Sequence, residues 1–216
     1  MPLRRLSREI LQRAEAAFRR RWRRLNLRGV SQADAHRRLD LLYKIRDPWN
    51  MATDRERFRF VESSRILHER LVAPSPRAGS ILEIGCGEGH QSEHLAPLCE
   101  RLCGIDISPT AVARARQRVP SADLVAGDLL AQPWAGEVHR YDIVTAFEVL
   151  YYVKDIPRLL RAMSTLGRSC IVSYFVPSAE IVEPPLLAMP IEGRDGFRFE
   201  DTHWRIAWWR NPRPGP

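Results

Sequence analysis

The stretch Ile81-Leu82-Glu83-Ile84-Gly85-Cys86-Gly87-Glu88-Gly89-His90 decides how this chain folds. A short apolar run ends in an acidic residue, and glycines follow at every second position. A run of that length suits a buried strand. The glycines predict a tight turn before a helix, with a main chain that a ligand can approach closely. The next apolar segment, Arg101-Leu102-Cys103-Gly104-Ile105-Asp106, ends in a carboxylate 21 residues after Gly85. That spacing suits an acidic side chain gripping ribose hydroxyls at the tip of the second strand of a doubly wound sheet. A nucleoside cofactor is the first expectation.

The chain has 216 residues and is 44% hydrophobic, enough for one domain with an appendage. No run approaches the roughly 18 apolar residues of a membrane span. The start, Met1-Pro2-Leu3-Arg4-Arg5, lacks the apolar run of a secretory signal, so a cytoplasmic protein is expected. The cysteines, Cys86, Cys99, Cys103 and Cys170, follow buried elements and make no paired ligand clusters, so no metal site is expected. The net charge of +8 has an address. Ten arginines and two glutamates place all of it in residues 1–28, and the rest of the chain is neutral in sum.

Three regions follow: a basic amphipathic helix in 1–30, a helical lid or cap in 31–78, and a Rossmann-like domain in 79–216. In the first, Leu3, Leu6, Ile10, Ala14, Phe18, Trp22 and Leu25 recur at helical steps with arginines between them. Such a helix suits docking on the body or pairing with a second copy as a homodimer. Nucleic acid is not expected, because no second basic element or aromatic interleaving supports it. Ser31 can cap a helix over 32–44. Trp49, in the turn Arg46-Asp47-Pro48-Trp49-Asn50, can fold over the cofactor. A helix over 55–71 places Phe58, Val61, Ile66 and Leu71 on its apolar side.

Downstream, helices are expected over 91–97, 109–118 and 155–166. Strands are expected over 102–107, 123–126, 141–148 and 169–175. Strands alternating with helices predict an α/β class, with a mostly parallel, doubly wound sheet covered on both faces. Prolines at 177, 184, 185 and 190 argue against one long helix there. Phe197-Arg198-Phe199 and Trp204 to Arg210 read as short, antiparallel strands at the far end of the sheet.

A dinucleotide fingerprint needs a small residue three positions after Gly87, and His90 stands there. A further carboxylate, Asp128 after Gly127, sits at the tip of the third strand, where it can accept a hydrogen bond from an adenine amine. Glu83-x-Gly85-x-Gly87-x-Gly89, Asp106, Gly127-Asp128-Leu129 and Tyr141-Asp142-Ile143-Val144 together resemble the successive motifs of class I S-adenosylmethionine-dependent methyltransferases. The resemblance implies a Rossmann-like, seven-stranded sheet with one reversed strand. It implies S-adenosyl-L-methionine as cofactor and S-adenosyl-L-homocysteine as product. Glu83 and the turn Gly85-Cys86-Gly87 would face the methionine part, Asp106 the ribose, Ile107 the adenine face and Asp128 the adenine amine, with Leu129 and Phe147 beside them.

Asp47-Pro48-Trp49, Glu56-Arg57-Phe58-Arg59, Leu95-Ala96-Pro97, Asp106-Ile107-Ser108-Pro109 and Glu148-Val149-Leu150-Tyr151-Tyr152 are similar to the rhizobial NodS nodulation N-methyltransferases. That family methylates the free amine of a glucosamine-containing oligosaccharide. By this resemblance Trp49 and Arg59 would close over the cofactor and meet its carboxylate, with Arg57 as the other candidate arginine. Glu148 would handle a proton or orient the acceptor, and Tyr152 beside Tyr151 would shape the acceptor pocket. The expected activity is methyl transfer to a small-molecule acceptor, an amine ahead of a hydroxyl. The rivals are a nucleic-acid- or protein-directed methyltransferase using the basic helix, and a non-catalytic cofactor-binding subunit.

Overall fold

The structure, a computed structural model, describes residue 21 and residues 35–212. The basic helix expected over 3–27 and its boundary at Ser31 lie outside the described residues, apart from Arg21, which is helical. Seven strands form one sheet: β1 (Ala78–Ile84), β2 (Cys99–Asp106), β3 (Asp123–Ala126), β4 (Tyr141–Phe147), β5 (Gly167–Phe175), β6 (Gly193–Phe199) and β7 (Thr202–Arg210). Their order is β3-β2-β1-β4-β5-β7-β6. The first five run parallel, and β7 enters antiparallel between β5 and β6. This is the doubly wound sheet with a reversed strand that the motifs imply.

The helices are α1 (Ala35–Leu42), α2 (Asp54–Leu67), α3 (His90–Leu95), α4 (Pro109–Arg118), α5 (Ile156–Leu166) and α6 (Ala179–Leu187). Successive strand residues point to opposite faces. Leu82 and Ile84 therefore pack with Leu160 and Met163 of α5, while Ile81 packs with Ile66, Leu67 and Leu95 of α2 and α3. The register pairs Ile84 with Ile105 and Asp106 with Ala126, which aligns the carboxyl ends of β1, β2 and β3. In open α/β sheets the binding crevice lies outside that edge. Among the described residues no helix is long and apolar enough to cross a membrane.

Three local expectations change. Val61 is 51% exposed, and the buried residues of α2 are Glu56, Arg59, Phe60, Ser63, Ser64, Ile66 and Leu67. Ile66 is buried as the stripe predicts, but Val61 is not, because the buried face also carries Glu56 and Arg59, which pair with each other and line a cavity. A helix, α6, forms in the proline-rich segment, with Pro184 and Pro185 inside it. The carbonyls that lose a partner to those rings belong to Glu180 and Ile181, both exposed residues, while buried Val182 and Leu186 pin the helix down. Finally, β4 ends at Phe147, and Glu148 takes a left-handed backbone with φ of 60°.

Candidate active site

The turn after β1 is fixed by backbone geometry. Gly85 and Gly87 have φ of 73° and 52°, where other residues are strained. A side chain at Gly85 would place its Cβ 2.3 Å from Val149 Cγ2, and one at Gly87 would lie 3.0 Å from the Tyr43 hydroxyl. The amides of Gly85 and Cys86 both donate to the Ile105 carbonyl, at 2.7 and 3.2 Å, tying the turn to β2. Cys86 itself points into a core cluster with Val112, Ala115 and Leu124. Burial pushes its thiol well up, so it is inert, and the turn offers main chain rather than sulfur.

This turn floors a cavity of about 740 Å3, within the range of small-molecule sites. Glu83, Asp106, Ile107, Asp128, Leu129 and Phe147 all line it. With the turn they form its glycine wall. Asp106 accepts the Gly87 amide at 2.9 Å on Oδ2 and the Ser108 amide at 2.9 Å on Oδ1. Burial pushes its carboxyl up to about 6, against the pull of those two donors. Glu83, buried and bonded by the Ser92 hydroxyl, is pushed up to about 7 by desolvation. Asp128 accepts the Leu130 amide at 2.9 Å and caps the short turn Leu129–Ala131. A wall of carboxylates above an exposed glycine main chain suits a ligand that is positively charged and hydroxyl-bearing.

Residues 39–59 close the cavity from the other side. The Trp49 indole donates to the Tyr43 hydroxyl at 3.2 Å, and its ring lies 5.3 Å from that of Tyr152. Arg59 is 3% exposed, bonded to Glu56 at 2.7 Å, and lines the cavity. Arg57 points outward and pairs with Asp54, whereas Arg59 lines the cavity, as do Arg55 and Arg158. Tyr43 and Glu56 escaped the sequence reading, since nothing in a helical stripe marks a side chain as cavity-facing.

Glu88 holds this segment down: it accepts the Asp47 amide at 3.0 Å and pairs with Arg114, which also donates to the Ile45 carbonyl at 3.1 Å. Side-chain donor atoms of Asp47, Glu88 and His90 lie within 4.8 Å of one another. Both oxygens of Glu88 and of Asp47 already accept hydrogen bonds, and Arg114 supplies the positive charge. The cluster is therefore an anchor for residues 45–52.

Beside the glycine turn, starting at Val149, stands an aromatic wall. Glu148 sits at the end of β4 with Tyr151 and Tyr152 just after it, whose rings are 4.5 Å apart. The Tyr151 hydroxyl donates to Glu148 Oε2 at 2.9 Å, and the Ser173 hydroxyl donates to Oε1 at 3.0 Å. Burial pushes the Glu148 carboxyl up, while Arg59 and the two hydroxyls pull it back. Phe175 and Trp204 complete this wall, whereas His203 is exposed and outside it. Ser173 was missed because only the β4–β5 register, which sets it against Phe147, brings it beside Glu148.

The cavity, its acidic floor and the aromatic wall now meet an independent comparison. A family model for nodulation protein S (NodS) matches residues 31–176. The chain belongs to the NodS family. Nodulation protein S from Sinorhizobium fredii is 31% identical over 162 residues, covering 73% of this chain and 71% of that one. The Bradyrhizobium diazoefficiens protein is 29% identical over 154 residues, covering 71% and 69%. The crystal structure of the N-methyltransferase NodS from Bradyrhizobium japonicum WM9 with S-adenosyl-L-homocysteine superposes with a TM-score of 0.68 at 26% identity, covering 83% of this chain and all of that one. The chain is an S-adenosylmethionine-dependent methyltransferase. The NodS match ends at Val176, so α6, β6 and β7 lie beyond it.

Proposed function

We propose that the enzyme methylates the free amine of a small molecule, an amino sugar or an oligosaccharide carrying one. The observation that carries this reading is Glu148: a half-buried carboxylate on a left-handed residue, gripped by two hydroxyls and lining the cavity. Strained backbone at an ionisable group in a cavity is characteristic of functional positions.

The residues fit S-adenosylmethionine. Its methionine part would lie against Gly85, Gly87 and Glu83, its ribose hydroxyls at Asp106, and its adenine between Ile107, Leu129 and Phe147 with the amine at Asp128. Arg59 and Trp49 would close over the carboxylate end. When bound, the cofactor supplies a methyl carbon on a positively charged sulfur that takes the bond's electrons as it leaves. The protein's contribution is alignment, worth roughly 7–11 kcal/mol of barrier lowering where reactants are well oriented.

An amine must be neutral to attack, because its lone pair forms the new nitrogen–carbon bond. Glu148 would take the proton of the incoming ammonium on whichever oxygen faces it, a contribution of about 10²–10⁴-fold. Tyr152, its ring tilted against those of Trp49 and Tyr151, would present a π-face to the cationic amine. The amphipathic pattern of residues 3–27 supports one addition, pairing of two copies through that helix, which sedimentation with and without residues 1–28 tests. The acceptor test is turnover on matched substrates: a glucosamine oligosaccharide with a free amine, its fully N-acetylated counterpart, and a hydroxyl-only counterpart. Methylation confined to the first is expected. Methylation of the N-acetylated or hydroxyl-only compound would replace the amine reading with O-methylation.

A further inference from the structure

We infer that Tyr151 and Ser173 are positioning residues for proton transfer: their hydroxyls keep Glu148 ionised and aimed into the cavity. The inference rests on the Glu148 reading above and adds two residues to it. Each carboxylate oxygen of Glu148 receives one hydroxyl, Oε2 from Tyr151 at 2.9 Å and Oε1 from Ser173 at 3.0 Å. The Glu148 amide also donates to the Ser173 carbonyl at 3.1 Å, so the same β5 residue fixes both the backbone and the side chain. That double hold accounts for how a non-glycine residue keeps φ of 60°.

The grip has a chemical consequence. When Glu148 is ionised both hydroxyls donate to a charged acceptor, and such bonds are roughly twice as strong as those to a neutral group, so protonation weakens them without removing either. Two hydroxyls therefore favour the ionised form in surroundings that burial otherwise makes hostile to charge. Each Glu148 oxygen keeps a second lone pair, so the carboxylate can take a proton without first breaking either bond. Tyr151 cannot itself serve as the base. Burial and the neighbouring Glu148 charge push its phenol well up, so it remains a donor throughout the working range.

The other groups facing Glu148 come from α2. Arg59 favours its charged form, and Glu56 opposes it but is already paired with Arg55 and Arg59. From β5 comes the uncharged Ser173 hydroxyl, and from the turn at 150–152 come Tyr151 and the adjoining Tyr152 ring. Removing either hydroxyl leaves Arg59 in place, so the carboxylate should lose part of its support and not all of it.

The test titrates the side-chain carboxyl of Glu148 in full-length protein carrying 13C-labelled glutamate, with Glu148→Gln assigning the resonance by its loss. In Tyr151→Phe and in Ser173→Ala the midpoint should rise by about one pH unit, as expected for a lost hydrogen bond to a charged group. Two variants on different elements guard against one failing to fold. A midpoint unmoved in both overturns the inference. The same variants are then assayed for methylation of the free-amine glucosamine oligosaccharide across pH. The acid limb of kcat should move to higher pH with the carboxyl midpoint, and it should vanish in Glu148→Gln. A limb that vanishes in Glu148→Gln but stays fixed in the other two overturns the positioning role alone. A limb retained in Glu148→Gln overturns the assignment of Glu148 as proton acceptor, and the inference with it.

Discussion

The glycine wall draws its groups from residues 83–89, 106–108 and 127–130, each a short stretch at the carboxyl end of one strand. The aromatic wall joins Glu148 and Tyr151 to Ser173 and Trp204 and meets Trp49 through Tyr152, with Arg59 lining the same cavity. On the first wall the main interactions are main-chain ones: glycine angles, amides bonded to Asp106, and the tie of Gly85 and Cys86 to Ile105. On the second they are side-chain hydroxyls, rings and ion pairs, some from neighbouring residues and some from far along the chain, 25 residues apart for Glu148 and Ser173 and 103 for Trp49 and Tyr152. The first wall can be written as a motif. The second is a motif only from Glu148 to Tyr152, and Ser173 and Trp204 join it only on folding.

This contrast suggests variants that strike one wall and spare the other. The largest effect should come from Gly85→Val. It combines a left-handed backbone with a side chain 2.3 Å from Val149, so S-adenosylmethionine binding should fall at least about 100-fold by calorimetry. Binding within a few fold of the parent would show that the turn does not hold the cofactor. Asp106→Ala comes next, with an expected loss of about tenfold in cofactor affinity from the missing hydrogen bonds to a charged acceptor. Unchanged affinity would remove Asp106 from the ribose site.

A smaller effect concerns pH. Glu83 and Asp106 are pushed up to about 7 and about 6, so the folded state binds their protons more tightly than the unfolded chain does. Their contribution to stability is present below about pH 4.5 and is lost as pH rises through 6 to 7. The cofactor-free protein should therefore lose several degrees of Tm over that window from these groups. Glu83→Gln, which cannot ionise, should flatten the decline. Parallel curves for variant and parent would show that Glu83 is already ionised in the fold.

What could be read before folding follows the same division. The helix at Pro109–Arg118 was readable to the residue, because Ser108 and Pro109 are a local start signal and the Ser108 hydroxyl does accept the Ala111 amide, at 3.1 Å. The parallel strands were readable because both of their faces are buried, which makes continuous apolar runs. The floor of the cavity was readable too, as Asp106 and Asp128 stand where their strands end. The buried polar face of α2 was not: Glu56 and Arg59 satisfy each other, so their burial leaves no apolar mark in the sequence. Nor was α6 readable, since its prolines are tolerated only because the carbonyls they strand belong to exposed residues. Ser173 became visible only through the pairing of β4 with β5.

The two walls do different jobs, one holding the cofactor and the other serving the acceptor, and Glu148→Gln separates them. Cofactor affinity by calorimetry and turnover of the free-amine glucosamine oligosaccharide are measured on the same preparation. The account predicts affinity within about twofold of the parent, with turnover reduced by about 10²–10⁴-fold. Equal losses in affinity and turnover would contradict it, and would return Glu148 to the wall that holds the cofactor.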